Sequence, residues 1–470
     1  TAMKKLLLCH LFFVLSNATY AQNTFEKVID TLGCTEAKCV QQTFDGGYIV
    51  CGVSYYNNND GSIVKLDSAG NLQWVKIYGG SGQDGLQRIE QLPDSGYVVS
   101  GTWDAGLNGK QWLLRLDDNG DTLWTNKYTI GNKKPETSSM ASGLNNLYPM
   151  NGYVLVQPND NDAYLMVADS MGGIAFLKTY GNMLTNSISE DVIKTFFNGY
   201  ALTGTISSSP GHGGVWLIRT DSLGDTLWTK TYFHSQISSG YSLKQTSDSG
   251  LIIAGITYDT SIATWNIYLV KTDINGDSIW TKLIFYPNGS TVKKIENVKA
   301  GGYILTGRIV DTLTVLTEKL LLIRTNNYGD TVWTKHYPKI GSAYGNYGIA
   351  TKDGGFIAVG IDGLAFYIVK TDSMGNVKTS VGITEANQPQ FDFNIYPNPG
   401  KGLFRINFEG ISANSQIKVL NNKGELILDL SIKPCNEYCF IDLSNYAEGI
   451  YLVRLENGKI YNSKKIVLIK

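Results

Sequence analysis

Charge of either sign is missing in excess: 40 lysines and arginines stand against 41 aspartates and glutamates, a formal net charge of −1. A chain so balanced presents no electrostatic footprint to a polyanion, which excludes nucleic acid as a partner. Histidine is scarce, and His212, His234 and His336 fall in separate stretches with no partner at metal-ligand or triad spacing. No glycine-rich phosphate loop, nucleophile elbow or zinc-protease helix occurs. Asp117-x-Asn119-x-Asp121 and Asp273-x-Asn275-x-Asp277 open like calcium loops, but no bidentate glutamate follows, so turn chemistry accounts for them. These absences leave no catalytic residue, metal or cofactor to assign. Long apolar runs are missing too. The stretch from Leu6 to Leu15 is about half of the roughly 20 residues a bilayer span needs, so no transmembrane segment is expected.

That short run belongs to a processing signal. Lys4 and Lys5 precede it, small residues follow it, and Met3 is the expected start. Residues 1–21 read as a signal peptide cut between Ala21 and Gln22, which sends the mature chain out of the cytoplasm. Cys9 lies inside the apolar run rather than at its end, which excludes a lipoprotein signal. The remaining cysteines then enter a compartment that permits disulfides. Cys435 and Cys439 flank a short turn, and Cys39 and Cys51 lie across a predicted hairpin. Both pairs are disulfide candidates, with Cys34 to Cys39 the alternative to the second.

What the chain does have is 51 glycines and 28 tyrosines, beside abundant Thr, Val and Ile, an all-β composition of strands and tight turns. One phrase returns about every fifty residues, a period that marks an array of equivalent units. It reads Asp67-Ser-Ala-Gly-Asn-Leu-Gln-Trp74, and returns ending at Trp124, Trp228 and Trp280, with weaker copies ending at Phe176 and Trp333. A second anchor precedes a β-rich run seven times: Asp45-Gly-Gly-Tyr48, Asp94-Ser-Gly-Tyr97, Asn151-Gly-Tyr153, Asn198-Gly-Tyr200, Asp248-Ser-Gly-Leu251, Ala300-Gly-Gly-Tyr303 and Asp353-Gly-Gly-Phe356. Each unit holds four predicted strands, at 86–92, 97–102, 111–116 and 122–128 in the second. Four short strands per fifty residues indicate a β-propeller of seven blades, with six or eight as the alternatives. The seventh unit has Thr379 where the tryptophan belongs, while the segment 24–29 resembles a fourth strand led by Phe25. The propeller is therefore expected over 22–383, closed by strand 24–29. Trp74, Trp124, Phe176, Trp228, Trp280, Trp333 and Phe25 are read as inter-blade wedges, burying about 150–250 Å² apiece. Over residues 25–385 the phrase resembles the tryptophan-docking repeat of quinoprotein-like propellers.

Beyond Gly382 the rhythm stops. Residues 384–390 form a polar linker, and seven short strand-like runs between 391 and 470 indicate a small Ig-like β-sandwich. Phe393-Asn-Ile-Tyr396-Pro397-Asn398-Pro399, Gly402-Leu-Phe-Arg-Ile406, the run through Gly424, and Gly449-Ile-Tyr451 with the closing Lys464-Lys-Ile-Val-Leu-Ile-Lys470 resemble the type A sorting domain of the type IX secretion system. That resemblance implies a cargo handed to the type IX machinery, then secreted or anchored at the outer-membrane surface.

In a propeller of this topology the Asp/Gly turns share one face. The inter-blade loops and second-to-third-strand loops share the other. That second face is variable and aromatic, and Tyr55, Tyr56, Trp103, Asp104, His212, Tyr258 and Trp265 are its candidate ligand-binding residues. Aromatics beside polar groups suit a carbohydrate or protein ligand, so the expected function is a binding module. A propeller enzyme acting on extracellular glycans, or one using a quinone, is the alternative, and would need carboxylates converging at about 5–10 Å. A scaffold for surface complexes is the third. Asp followed by Ser or Thr and an apolar residue also recurs, as at Asp121, Asp225, Asp277 and Asp330, and resembles an O-glycosylation sequon.

Overall fold

The computed structural model describes residues 23–470 except 56–58, 106–108, 131–134, 142–146, 158–159, 182–184, 210–211, 262, 312–316, 338–341, 378–392, 409–414, 422–423, 433–437 and 458–459. The signal peptide with Ala21 and Gln22, Tyr56, Thr379, the 384–390 linker and Cys435 lie outside the described residues. The chain divides into two compact units, before and after residue 378.

Described strands of the first unit form seven four-stranded antiparallel sheets, the blades of a β-propeller. Blade 2 is typical, with strands Gly85–Gln91, Tyr97–Trp103, Lys110–Leu116 and Thr122–Tyr128. Six blades use four consecutive strands. Blade 7 joins Ala343–Ala350, Phe356–Asp362 and Ala365–Thr371 to the strand Phe25–Ile29, with Phe25 opposite Lys370 and Ile29 opposite Phe366. First strands touch their counterparts in both neighbouring blades all the way round, so they line an axial channel. Hydrophobic burial is spread over seven clusters rather than one. Each lies between adjacent blades, as Val40, Tyr48 and Val64 of blade 1 pack with Ile357, Val359 and Ile368 of blade 7.

The recurring phrase builds these joints. Its first residue, Asp67 in blade 1, accepts hydrogen bonds through Oδ1 from the N–H groups two and four residues on, and the same happens in every blade. The turn then needs a left-handed residue, and the phrase glycine supplies it with φ of 73° to 81°. A Cβ there would strike the aromatic of the preceding blade: Phe25 meets Gly70, Trp74 meets Gly120, Trp124 meets Gly172, and so on to Trp333 on Gly375. Four of these aromatics, Phe25, Trp74, Phe176 and Trp333, meet the ring that follows the second anchor of the next blade, edge to face, as Phe25–Tyr48 at 5.8 Å and Trp333–Phe356 at 5.6 Å. Each such pair adds about 0.5–1.5 kcal/mol beyond its buried area. Cations near the third-strand ends reach into the first turn of their own blade: Lys65 to Asp45 at 2.8 Å, Lys271 to Asp248 at 2.9 Å and Lys370 to Asp353 at 2.9 Å.

One anchor differs from its sequence reading. Asn151-Gly152-Tyr153 lies inside the strand Tyr148–Gln157 rather than in a turn. Gly152 sits opposite Thr137, where a Cβ would lie 1.9 Å from the Glu136 carbonyl oxygen, so this glycine answers to strand crowding. The expected Cys39–Cys51 disulfide is not formed either. The two residues stand directly opposite each other on neighbouring strands, as free thiols. Cys439, in the strand Tyr438–Asp442, is free as well.

The second unit pairs a three-stranded sheet, Phe393–Tyr396, Leu403–Phe408 and Tyr438–Asp442, with a four-stranded one in the order Leu426–Ser431, Ser415–Leu420, Gly449–Asn457, Ile460–Leu468. Both sheets feed one core around Phe393, Phe404, Val419, Ile441 and Val453, which makes a β-sandwich. Asn398, between Pro397 and Pro399, donates to the Lys465 carbonyl at 2.8 Å and accepts from the Val467 N–H at 2.9 Å. Gly402 has φ of 125° beneath Ser444, Gly424 turns at φ 79°, and the Tyr451 hydroxyl donates to Ala447 O at 2.5 Å.

Candidate functional site

The aromatic loop residues do not converge on one site. Tyr55 is exposed after the second strand of blade 1, and His212 is exposed at the start of the third strand of blade 4. Trp103 is occupied within its own blade, 5.0 Å from Trp112 and with Lys127 Nζ 3.0 Å from its ring centre. Asp104 follows it at φ 49° and donates its N–H to Asp84 Oδ1 at 2.7 Å. Tyr258 and Trp265 are cross-strand partners with rings 5.0 Å apart. Of these residues, Trp265 lines a cavity of about 250 Å³, together with Tyr241, Thr291, Lys293 and Arg308. Those four also line a larger cavity of about 500 Å³, the loop-face mouth of the axial channel.

A repeated β-bulge builds that mouth. In all seven blades the ladder between first and second strands slips by one residue: Lys38, Gln87, Ser138, Glu190, Tyr241, Lys293 and Asn346, in blade order. A bulge leaves the extra residue unpaired and re-aims it. All seven side chains line the same cavity. The facing second strands carry Gly52, Gly101, Gly152, Gly204, Gly255, Gly307 and Gly360, where a Cβ would come within 1.8–2.1 Å of a first-strand carbonyl oxygen. Thus the repeat fixes the backbone of the mouth while leaving its chemistry free, and the seven bulged residues include cations, an acid, amides, a hydroxyl and a phenol.

Beneath the bulge ring the channel is crossed by a charged plug. Asp191 is buried and accepts from Ser139 Oγ at 2.7 Å, Ser242 Oγ at 2.8 Å, the Leu243 N–H at 3.2 Å and Lys294 Nζ at 3.1 Å. Burial pushes its carboxyl up, but Lys294, Arg88 and Lys244 outweigh that and hold it well below the usual range. The Arg88 guanidinium lies 4.5 Å from the Tyr347 ring centre and donates to Ser139 Oγ at 3.1 Å. On the turn-face side a second cavity of about 500 Å³ is lined by Cys39, Arg88, Asp191, Lys294 and Tyr347 among both apolar and polar neighbours. Burial pushes the Cys39 thiol up, yet the Cys51 thiol, Arg88 and Lys294 bring it below its ordinary value, while burial raises Cys51.

In the loop-face mouth, Lys38 pairs with Glu36 at 2.6 Å, and Asn346 Nδ2 donates to Glu36 Oε1 and Ala37 O, both at 3.0 Å. Arg308 pairs with Glu318 at 2.6 Å and donates to Thr291 Oγ1 at 3.2 Å. Lys293 Nζ sits 4.0 Å over the Tyr241 ring. Burial raises the Glu190 carboxyl, against the pull of Lys293. Among the described residues, no cluster of His, Cys, Asp and Glu is arranged to hold a metal. Sequence reasoning passed over these channel residues. Their signal is a broken alternation in every first strand, as in Glu190-Asp191 and Lys293-Lys294, facing a glycine inside the next strand.

Fold and site together define the class: a seven-bladed propeller with an asymmetric axial mouth, followed by a separate β-sandwich. Residues 394–470 match the family described as the secretion system C-terminal sorting domain. The chain is thus an exported protein handled by the type IX secretion machinery, secreted or attached at the cell surface. No helix among the described residues is long and apolar enough to cross a membrane. Among solved structures it is similar to the S511A mutant of puromycin hydrolase complexed with PGG, at 11% identity and a TM-score of 0.50, over 79% of this chain and 58% of that one. The β-propeller domain of the Trilobed protease from Pyrococcus furiosus is also similar, at 9% identity and a TM-score of 0.43, over 77% of this chain and 100% of that one. The chain spans 58% of the puromycin hydrolase length, and such identity speaks to the fold alone. No curated protein matches the sequence.

Proposed function

We propose that this protein is an exported binding module whose propeller holds a carbohydrate or protein ligand in the loop-face mouth of its channel. The observation that carries the reading is the ring of seven bulges. A structural repeat tends toward equivalent residues at equivalent places, yet here the seven blades deliver six kinds of polar side chain, with only lysine repeated, into one cavity of about 500 Å³. That is the size and the convergent chemistry of a ligand site. By contrast, the turn-face cavity is walled in part by residues of the inter-blade packing, such as Val40, Ile89 and Ile193.

Titration of the full-length protein with panels of oligosaccharides and peptides tests this. Binding should be weakened in Lys293→Ala and Asn346→Ala while their unfolding midpoints stay near wild type. Ligands that bind both variants as well as wild type would place the site elsewhere. A second reading rests on Glu36, Glu136 and Glu190 lining the same mouth: hydrolysis of a bound glycan. Release of reducing ends that disappears in Glu190→Gln would favour it over binding alone.

A further inference from the structure

We infer that the ligand taken by the loop-face mouth is the uncharged, polyhydroxylated end of a glycan chain, an inference that rests on the binding reading above. The first support is what the wall lacks. Among the described residues, the lining of the mouth holds no large apolar side chain apart from the rings of Tyr153, Tyr241 and Tyr344, so it offers few pockets for the hydrophobic anchors that peptides use. Peptides can instead add a strand to an exposed sheet edge, and the first strands do present their edges to the channel. Every one of those edges is bulged at the mouth, which interrupts the regular row of N–H and C=O groups that strand addition requires.

Charge supplies the second support. Lys38 is matched by Glu36 at 2.6 Å and Arg308 by Glu318 at 2.6 Å, while Glu190 and Lys293 line the same wall. Cations already partnered within the protein give little field to capture an anion. They do present oriented donors beside oriented acceptors, the pattern that neighbouring sugar hydroxyls match, since each hydroxyl both donates and accepts. Aromatic faces are the third. Tyr344 and Tyr153 border the mouth, and Trp265 lines the adjoining lobe of about 250 Å³, so flat apolar surfaces stand next to the polar ring. A sugar ring has the complementary form, with C–H groups on one face and hydroxyls at its edge.

The test is calorimetry on the full-length protein with three arms: neutral oligosaccharides (gluco-, manno- and xylo-hexaoses), oligogalacturonate, and a soluble hexapeptide library. The inference expects a neutral oligosaccharide to bind, with an affinity that changes less than about threefold between low and high salt. Tyr344→Ala and Trp265→Ala should weaken that binding about tenfold or more. Tyr344→Phe, which keeps the ring, should retain most of it, separating ring stacking from a folding defect. Binding confined to oligogalacturonate, or to peptides, overturns the glycan-end inference and leaves the binding-module reading standing. Absence of binding in all three arms overturns both.

Discussion

Asp191 concentrates the electrostatics of the channel at one residue. Its carboxylate is buried, accepts hydrogen bonds from Ser139 Oγ, Ser242 Oγ and the Leu243 N–H, and faces the Lys294 ammonium at 3.1 Å. Asp191→Ala leaves the buried Lys294 only its longer contact with Glu296 at 3.7 Å, and breaking a buried pair costs about 3–5 kcal/mol. Denaturant unfolding of the variant should show a loss of that order, whereas a cost below about 1 kcal/mol would mean that water reaches the plug. A second residue-scale expectation concerns acid. Burial works against the Asp45 carboxylate, but hydrogen bonds from Lys65, Thr43 and the Gly47 N–H bring it down to about 2. A group whose folded value is depressed contributes stability in full above the unfolded aspartate value. That contribution fades as pH falls from about 4 toward the folded value. The difference in unfolding midpoint between wild type and Asp45→Asn should therefore shrink across that window. A difference that stays constant from pH 6 to about 2 would contradict the assignment.

At the scale of strands, the seven bulges and their facing glycines form a single device. Gly307 lies opposite Val292, just before the Lys293 bulge, and a Cβ at Gly307 would sit 1.9 Å from the Thr291 carbonyl oxygen. Backbone rather than a flexible side chain blocks the space, so Gly307→Ala must part the two strands. Overpacking of this kind costs about 1–3 kcal/mol. Thermal unfolding of that variant should show the loss, and an unchanged midpoint would mean that the bulge relaxes freely. Strand positions were legible in the sequence because turns and alternation repeat with the blade: in blade 2 the predicted 97–102 and 122–128 became Tyr97–Trp103 and Thr122–Tyr128. The mouth was not legible by the same route. Lys38 and Glu190 are separated by about 150 residues, and what they share is a place in the ladder rather than a residue type. Exposed aromatics such as Tyr55 drew attention because composition marks them. Convergence, which only topology creates, selected Trp265 and the bulged residues instead.

For the whole molecule, two units divide the work. The core of the C-terminal sandwich is drawn from residues 393–468 alone, and none of the seven inter-blade clusters uses a residue from it. Removing residues 391–470 should consequently leave the propeller folded and delete only the feature read by the export machinery. Ring closure belongs to the propeller itself, since the strand Phe25–Ile29 pairs with Ala365–Thr371 within that unit. The truncated chain is expected to accumulate in the periplasm, protected from protease added to intact cells, and to show the same propeller unfolding transition as the full chain. Wild-type surface exposure of the truncated chain would refute the role of the sorting domain. Retention together with a lost unfolding transition would show instead that the propeller depends on the tail for folding. The two measurements have to be made on the same truncated protein, because only a folded and retained propeller separates a missing address from a failure to fold.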